Sequence, residues 1–204
     1  MSRQFSSKKR NSRVKTPKPL IVIIAEGKNV TETNYFKSFQ NQYASYNIKL
    51  LSVGHETDPK NMLERLEDYW QKQELNTENG DMAFVVLDLD CDEKKANLIK
   101  RLASKSFNSR FIVSNPCFEV WFLLHYKYST HSYLTGSELI NDLKTFIPDY
   151  DKTMDVSELL YDNIDAAISN AYKLKDHYET LGSKWPSNDC NPRTDVPVII
   201  EYIK

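Results

Sequence analysis

An α/β fold, a mostly parallel sheet flanked by helices with a helical C-terminal extension, is predicted by three observations. Short continuous runs of β-branched and apolar residues alternate with amphipathic segments as far as about residue 126, the pattern of βαβ units around a buried sheet. Two of those runs end directly in acidic residues. Beyond Tyr126 the periodicity is helical, with no convincing strand.

The first run, Leu20-Ile21-Val22-Ile23-Ile24-Ala25, follows Pro17 and Pro19 and reads as a strand buried on both faces. Glu26-Gly27 ends it. A helix is predicted over 30–44, because Tyr35, Phe36, Phe39 and Tyr43 share helical spacing. Residues 48–53 form a second strand, and Asp58-Pro59 opens a helix carried on by Met62, Leu63, Leu66, Tyr69 and Trp70. After Gly80-Asp81 comes a third strand over 82–87, then a short helix over 94–104 and a fourth strand over 110–114. The apolar stretch 120–125 follows, and helices are predicted over 136–147, 158–181 and 195–203. The chain thus divides into a basic tail (1–18), an α/β core (19–126) and a helical region (127–204).

Composition excludes several classes. With 204 residues, 40% hydrophobic and 27% charged, and only 5 Gly and 8 Pro, the chain matches a folded domain rather than a disordered or collagenous one. No uncharged run approaches the roughly 18 residues that span a bilayer, so no membrane association is expected. No apolar signal segment follows the basic start, and the cytoplasm is the expected compartment. Cys91, Cys117 and Cys190 are odd in number and lack C-x-x-C spacing, which favours three free thiols over disulfides or structural zinc. The net charge of −1 conceals an asymmetry: residues 1–18 carry seven basic residues and no acid, leaving −8 for the remainder. Such an arm attracts nucleic-acid phosphates through counterion release, or is a solvated leader.

The acids at the strand ends carry the chemistry. In an open parallel sheet, ligands bind beyond the carboxyl ends of the strands, where Glu26 and the pair Asp88 and Asp90 fall. Residues i and i+2 of an extended segment face the same side, so Asp88 and Asp90 are expected to present their carboxylates together. Hard oxygen donors of that kind suit Mg²⁺, or Mn²⁺, completed by water and substrate phosphate. The metal would neutralise phosphate charge and activate or position a nucleophile. The alternative is solvated loop acids or helix caps, the role expected of Asp92 and Glu93.

The turn Glu26-Gly27-Lys28-Asn29-Val30-Thr31-Glu32 leaves two readings open. Thr31 and Glu32 cap the following helix, or Lys28 and Thr31 hold a phosphate at its N-terminus. No P-loop signature is present. In 115–126 a single acid, Glu119, sits in an almost wholly apolar segment. It is either a further carboxylate for the metal site or a buried hydrogen-bond acceptor. His125 is either a core histidine or a general base, and Arg193 either approaches phosphate or makes a surface salt bridge. No metalloprotease or Ser/His/Asp signature supports peptidase or esterase chemistry.

Together, Ile23-Ile24-Ala25-Glu26-Gly27 with Thr31-Glu32 and Tyr35-Phe36, then Leu87-Asp88 with Asp90, then Ser114-Asn115-Pro116-Cys117-Phe118-Glu119 with Trp121 and Leu123-Leu124-His125, and finally Asn191-Pro192 with Thr194, resemble the RloB-like family. The resemblance implies a Toprim-like domain in which Glu26, Asp88 and Asp90 support Mg²⁺-dependent phosphodiester chemistry. Glu119 matches a further family position, and Gly27, Glu32, Asn115 and His125 are supporting positions. It also implies a setting in bacterial phage defence, beside a separately encoded ATPase, with RNA or DNA as substrate. Two function classes follow: a metal-dependent nuclease, or a non-catalytic subunit that binds nucleic acid or the ATPase. No tyrosine nucleophile is implied, and a homodimer is left open.

Overall fold

The computed structural model describes residues 18–26, 31–41, 45–53, 57–106 and 108–204. Gly27, Lys28, Tyr43 and almost all of the basic tail therefore lie outside the described residues. Four strands run parallel: β1 (Leu20–Ala25), β2 (Asn47–Leu51), β3 (Met82–Asp88) and β4 (Arg110–Asn115). A two-residue strand, β5 (Arg193–Thr194), pairs antiparallel with the end of β4, Asn115 facing Arg193 across the ladder. The order is β2-β1-β3-β4-β5. This is the helix-flanked, mostly parallel α/β sheet that the sequence predicts, and it is consistent with a Toprim-like arrangement.

The alternation of side chains along each strand sorts them into two cores. Ile21, Ile23, Phe84, Val86 and Ile112 face one side of the sheet, and Val22, Ile24, Val85, Leu87 and Val113 face the other. Both faces are dry, which is why these strands read as unbroken apolar runs. The second face is covered by α2 (Pro59–Lys72) and α3 (Glu93–Ala103). Asp58 caps α2 by accepting from the Lys60 and Asn61 amides at 2.9 and 3.3 Å, with Pro59 in the first turn. Asp92 caps α3 through the Lys94 amide at 2.7 Å, as expected of an acid at a helix start.

The first face is covered by α1 (Thr31–Ser38), α4 (Glu119–Leu124), α5 (Gly136–Leu143), α7 (Ile164–Thr180) and α8 (Val196–Ile203), with the short α6 (Ser157–Leu160) completing the layer. The apolar segment after Pro116 is wholly buried, with Trp121 at 0% exposure among Tyr35, Phe118 and their neighbours. The C-terminal helical region, expected to pack on the α/β core, shares one core with the sheet.

The elements differ from the sequence reading in four places, the first being α5, which stops at Leu143 where the helix was expected to run to 147. Helix α1 ends at Ser38 and passes into a 3₁₀ turn, whereas 30–44 was expected. The helix expected over 158–181 is broken into α6, a 3₁₀ turn and α7. No strand was expected beyond Tyr126, yet β5 exists; two residues are too few for an alternation to show. Its pairing is decided by Asn115 and Ser114 across the ladder. Among the described residues no helix is long and apolar enough to cross a membrane.

Because Leu139 of α5, at 0% exposure, belongs to the same core as Phe84 of β3, Leu139→Ala should cost about 2–5 kcal/mol. It should shift a single denaturation transition seen together by circular dichroism and tryptophan fluorescence. Two separated transitions would show that the C-terminal helices fold on their own.

Candidate functional site

After β1 the chain crosses to β2 on one side, then returns past β1 to build β3 on the other. The gap between β1 and β3 is therefore the topological switch point, where an open α/β sheet leaves a crevice beyond its strand ends. Glu26 is the first residue after β1, and its amide still donates to the Val86 carbonyl at 2.9 Å. Asp88 is the last residue of β3, facing Ser114 of β4. Both expected carboxylates thus stand side by side at the crevice.

Asp90 does not share the side of Asp88 in the way an extended D-x-D would. The strand ends at Asp88, and both Asp90 and Cys91 adopt left-handed backbone, φ 55° and 56°. Such conformations are costly for residues other than glycine and need outside support. Support comes from the end of β4: the Leu89 amide donates to the Ser114 carbonyl at 2.7 Å, Asp90 to Pro116 at 2.9 Å, and Cys91 to the Asn115 side chain at 3.2 Å. Asn115 in turn donates to the Cys190 carbonyl at 3.0 Å. Asn191 holds Tyr133 through both the amide, 3.3 Å, and the carbonyl, 2.7 Å. The two Asn-Pro motifs are thus buckles that hold the turn after β3.

Asp90 turns outward to Lys95 on the first turn of α3. The Lys95 ammonium lies 2.9 Å from Asp90 Oδ2 and 2.7 Å from Glu26 Oε2. Burial pushes the Glu26 carboxyl above its usual range, a shift that Lys95 only partly opposes. Glu26 and Asp90 together outweigh burial for Lys95 and hold it protonated.

Asp88 turns inward. Its carboxyl is raised well above the usual range, first by burial and then by the charges of Glu32, Glu119 and Asp90, while Lys152 opposes the shift. Glu32, at 6% exposure on α1, is pushed up to about 7 by burial and by the charges of Glu119 and Glu26. Glu119, 1% exposed, accepts from the Tyr150 hydroxyl at 2.9 Å and has the Lys152 ammonium at 3.5 Å, all on Oε1. Its other oxygen, Oε2, is buried without a hydrogen-bond partner. Among the described residues five acids, Glu26, Glu32, Asp88, Asp90 and Glu119, therefore act on one another at the strand ends, paired with two lysines.

The donor set has the hard-oxygen chemistry of a Mg²⁺ site, with a surplus of negative charge and an orphaned carboxylate oxygen. Among the described residues, however, no three His, Cys, Asp or Glu side chains are gathered closely enough to hold a metal ion; Lys95 occupies the space between Glu26 and Asp90.

The remaining expected residues fall elsewhere. The Thr31 hydroxyl neither caps α1 nor stands free for phosphate; it donates to the Lys152 carbonyl at 2.7 Å, pinning the 150–153 loop onto α1. Asn34 adds a bond from its side chain to the Thr153 carbonyl at 3.3 Å. Arg193 is 4% exposed, lies over the Trp185 ring, 4.6 Å from its centroid, and reaches the exposed Glu179 carboxylate at 4.0 Å, so its position fits the salt-bridge alternative, with the guanidinium itself buried. His125 is a core histidine: Nδ1 donates to the Trp121 carbonyl at 2.8 Å, and burial holds the ring neutral, with its pKa lowered to about 4. Asp92 is spent on capping α3, and Glu93 accepts from the Asn188 amide at 2.9 Å.

Three site residues escaped the sequence reading: Lys95, Tyr150 and Lys152. Lys95 had a faint signal, a basic residue one turn into the helix that the D-x-D feeds. Tyr150 and Lys152 had none, because a loop more than sixty residues from Asp88 reaches the crevice only through tertiary packing.

The RloB-like protein family model matches residues 21–203, nearly the whole chain. The chain belongs to the RloB-like family. The matched span takes in every acid of the crevice and both Asn-Pro buckles of this RloB-like protein. No curated protein and no solved structure matches the chain.

Glu32 offers a direct check on the acid cluster. Since its folded pKa is raised from 4.5 to about 7, the folded state holds the proton more tightly, and stability falls as pH rises through that window. In chelator, Glu32→Gln should be more stable than wild type at pH 8, by something on the order of 3 kcal/mol. The advantage should vanish at pH 4, where both are uncharged. Melting curves across pH test this; a difference that does not change with pH would remove Glu32 from the cluster.

Proposed function

We propose that this RloB-like protein is a divalent-metal-dependent nuclease of Toprim type, cutting phosphodiester bonds of RNA or DNA. The observation that carries the reading is the crevice itself: mutually repelling carboxylates brought to the ends of two adjacent parallel strands at the switch point of the sheet. Glu26, Asp88 and Asp90 would hold Mg²⁺ or Mn²⁺, and the bound ion would supply charge neutralisation at the phosphate and a more acidic water. Glu119, buried and held by Tyr150, orients the inner side of the cluster. Lys152, with its side chain 36% exposed, would be a cation available to an entering phosphate. The RloB-like resemblance supports an antiviral setting in the cytoplasm with a separate ATPase partner, and the seven basic residues of 1–18 support that arm as a nucleic-acid contact.

A second reading has one observation in its favour. Lys95 and Lys152 already pair with three of the five acids, as in a crevice that is structural and belongs to a subunit binding nucleic acid or the ATPase.

Cleavage of a panel of structured RNA, single-stranded DNA and duplex DNA with Mg²⁺ or Mn²⁺ separates the two. The nuclease reading expects chelator-sensitive cutting that Asp88→Asn reduces to below about one hundredth of wild type, with an unchanged circular dichroism spectrum. Cutting that survives in Asp88→Asn would discard the site. No cutting by wild type, with tight binding of the ATPase, would favour the subunit reading.

A further inference from the structure

The crevice carries a cation of its own. Lys95 bridges the ends of β1 and β3, its ammonium within 2.9 Å of both Glu26 Oε2 and Asp90 Oδ2, and its side chain is only 14% exposed. These are two of the three carboxylates expected to hold a metal. The backbone of Lys95 is fixed, because Asp92 caps α3 and Ala96 and Ile99 anchor the helix in the core at 0% and 1% exposure. Its four-carbon stem is not fixed in that way, and can swing the ammonium to the rim without moving the helix.

We infer that Lys95 competes with the divalent ion: the metal reaches Glu26 and Asp90 only by displacing the Lys95 ammonium, and this displacement weakens metal binding. An ammonium and a divalent cation repel at such range, and a carboxylate oxygen engaged by the one offers less to the other. Lys95 brings one positive charge to two carboxylates, Glu26 and Asp90, and a divalent ion brings two, which favours the exchange. The orphaned Glu119 Oε2 shows that compensation by lysine is incomplete on the inner side. This inference rests on the metal reading above.

The test is a Mn²⁺ titration of the full chain, followed by the electron paramagnetic resonance signal of free Mn²⁺, for wild type, Lys95→Met and Lys95→Arg. Competition expects Lys95→Met to bind Mn²⁺ at least tenfold more tightly than wild type and to gain more in melting temperature on its addition. Lys95→Arg, which keeps the charge, should bind no more tightly than wild type. Should Lys95→Met fail to fold, Lys95→Gln keeps hydrogen bonding without charge and meets the same tenfold criterion. Equal or weaker binding in the neutral variant, with wild type binding, overturns the competition and leaves the metal reading standing. Absence of Mn²⁺ binding in folded wild type and folded neutral variant overturns both.

Discussion

The pairing of β1 with β3 is the constraint on which the site depends. Parallel neighbours end at the same edge, and the crossing of the chain from β2 past β1 opens that edge into a crevice. Glu26 and Asp88 therefore meet although 62 positions separate them in the sequence, and neither can leave without breaking a strand buried on both faces. Carboxylates held together in this way repel, and the fold must supply positive charge to keep them ionised. The rest of the site is a set of answers to that repulsion.

Two lysines supply part of the charge, and they come from opposite sides of the sheet. Lys95 stands on α3, which covers the smaller core, and closes the outer pair Glu26 and Asp90. Lys152 stands on a loop over the larger core and serves Glu119. What remains unmet is carried inward: the Asp88 carboxyl is raised by burial and by Glu32, the Glu32 carboxyl by burial and by Glu119, and Glu119 keeps one oxygen without a partner. An under-compensated acid cluster of this kind costs stability.

The C-terminal residues are part of this arrangement rather than an addition to it. Tyr150 and Lys152 reach Glu119, Thr31 ties their loop to α1, and Asn191 braces the region under the left-handed turn at Asp90 and Cys91. β5 closes the edge of the sheet beside β4, with Thr194 bonded to Ser114 at 2.7 Å. One continuous core joins these helices to the strands, so the geometry of the crevice depends on segments that have no catalytic signature of their own.

The sequence by itself determined the four parallel strands, the helices between them and the acids at their ends. The reason is local: burial on both faces demands unbroken apolar runs, and caps such as Asp58 and Asp92 mark helix starts through their own side chains. It also determined which residues are rare in their setting, Glu119 above all. Tertiary structure alone decided what those acids face. The outward turn of Asp90 is set by three amide hydrogen bonds donated to Ser114, Asn115 and Pro116, the role of Thr31 by a loop 121 residues away, and the burial of Arg193 by Trp185 and the pairing of β5. Periodicity records which face of an element is buried. It carries no information on which distant charge lies against that face, because long-range electrostatic partners leave no local pattern to read.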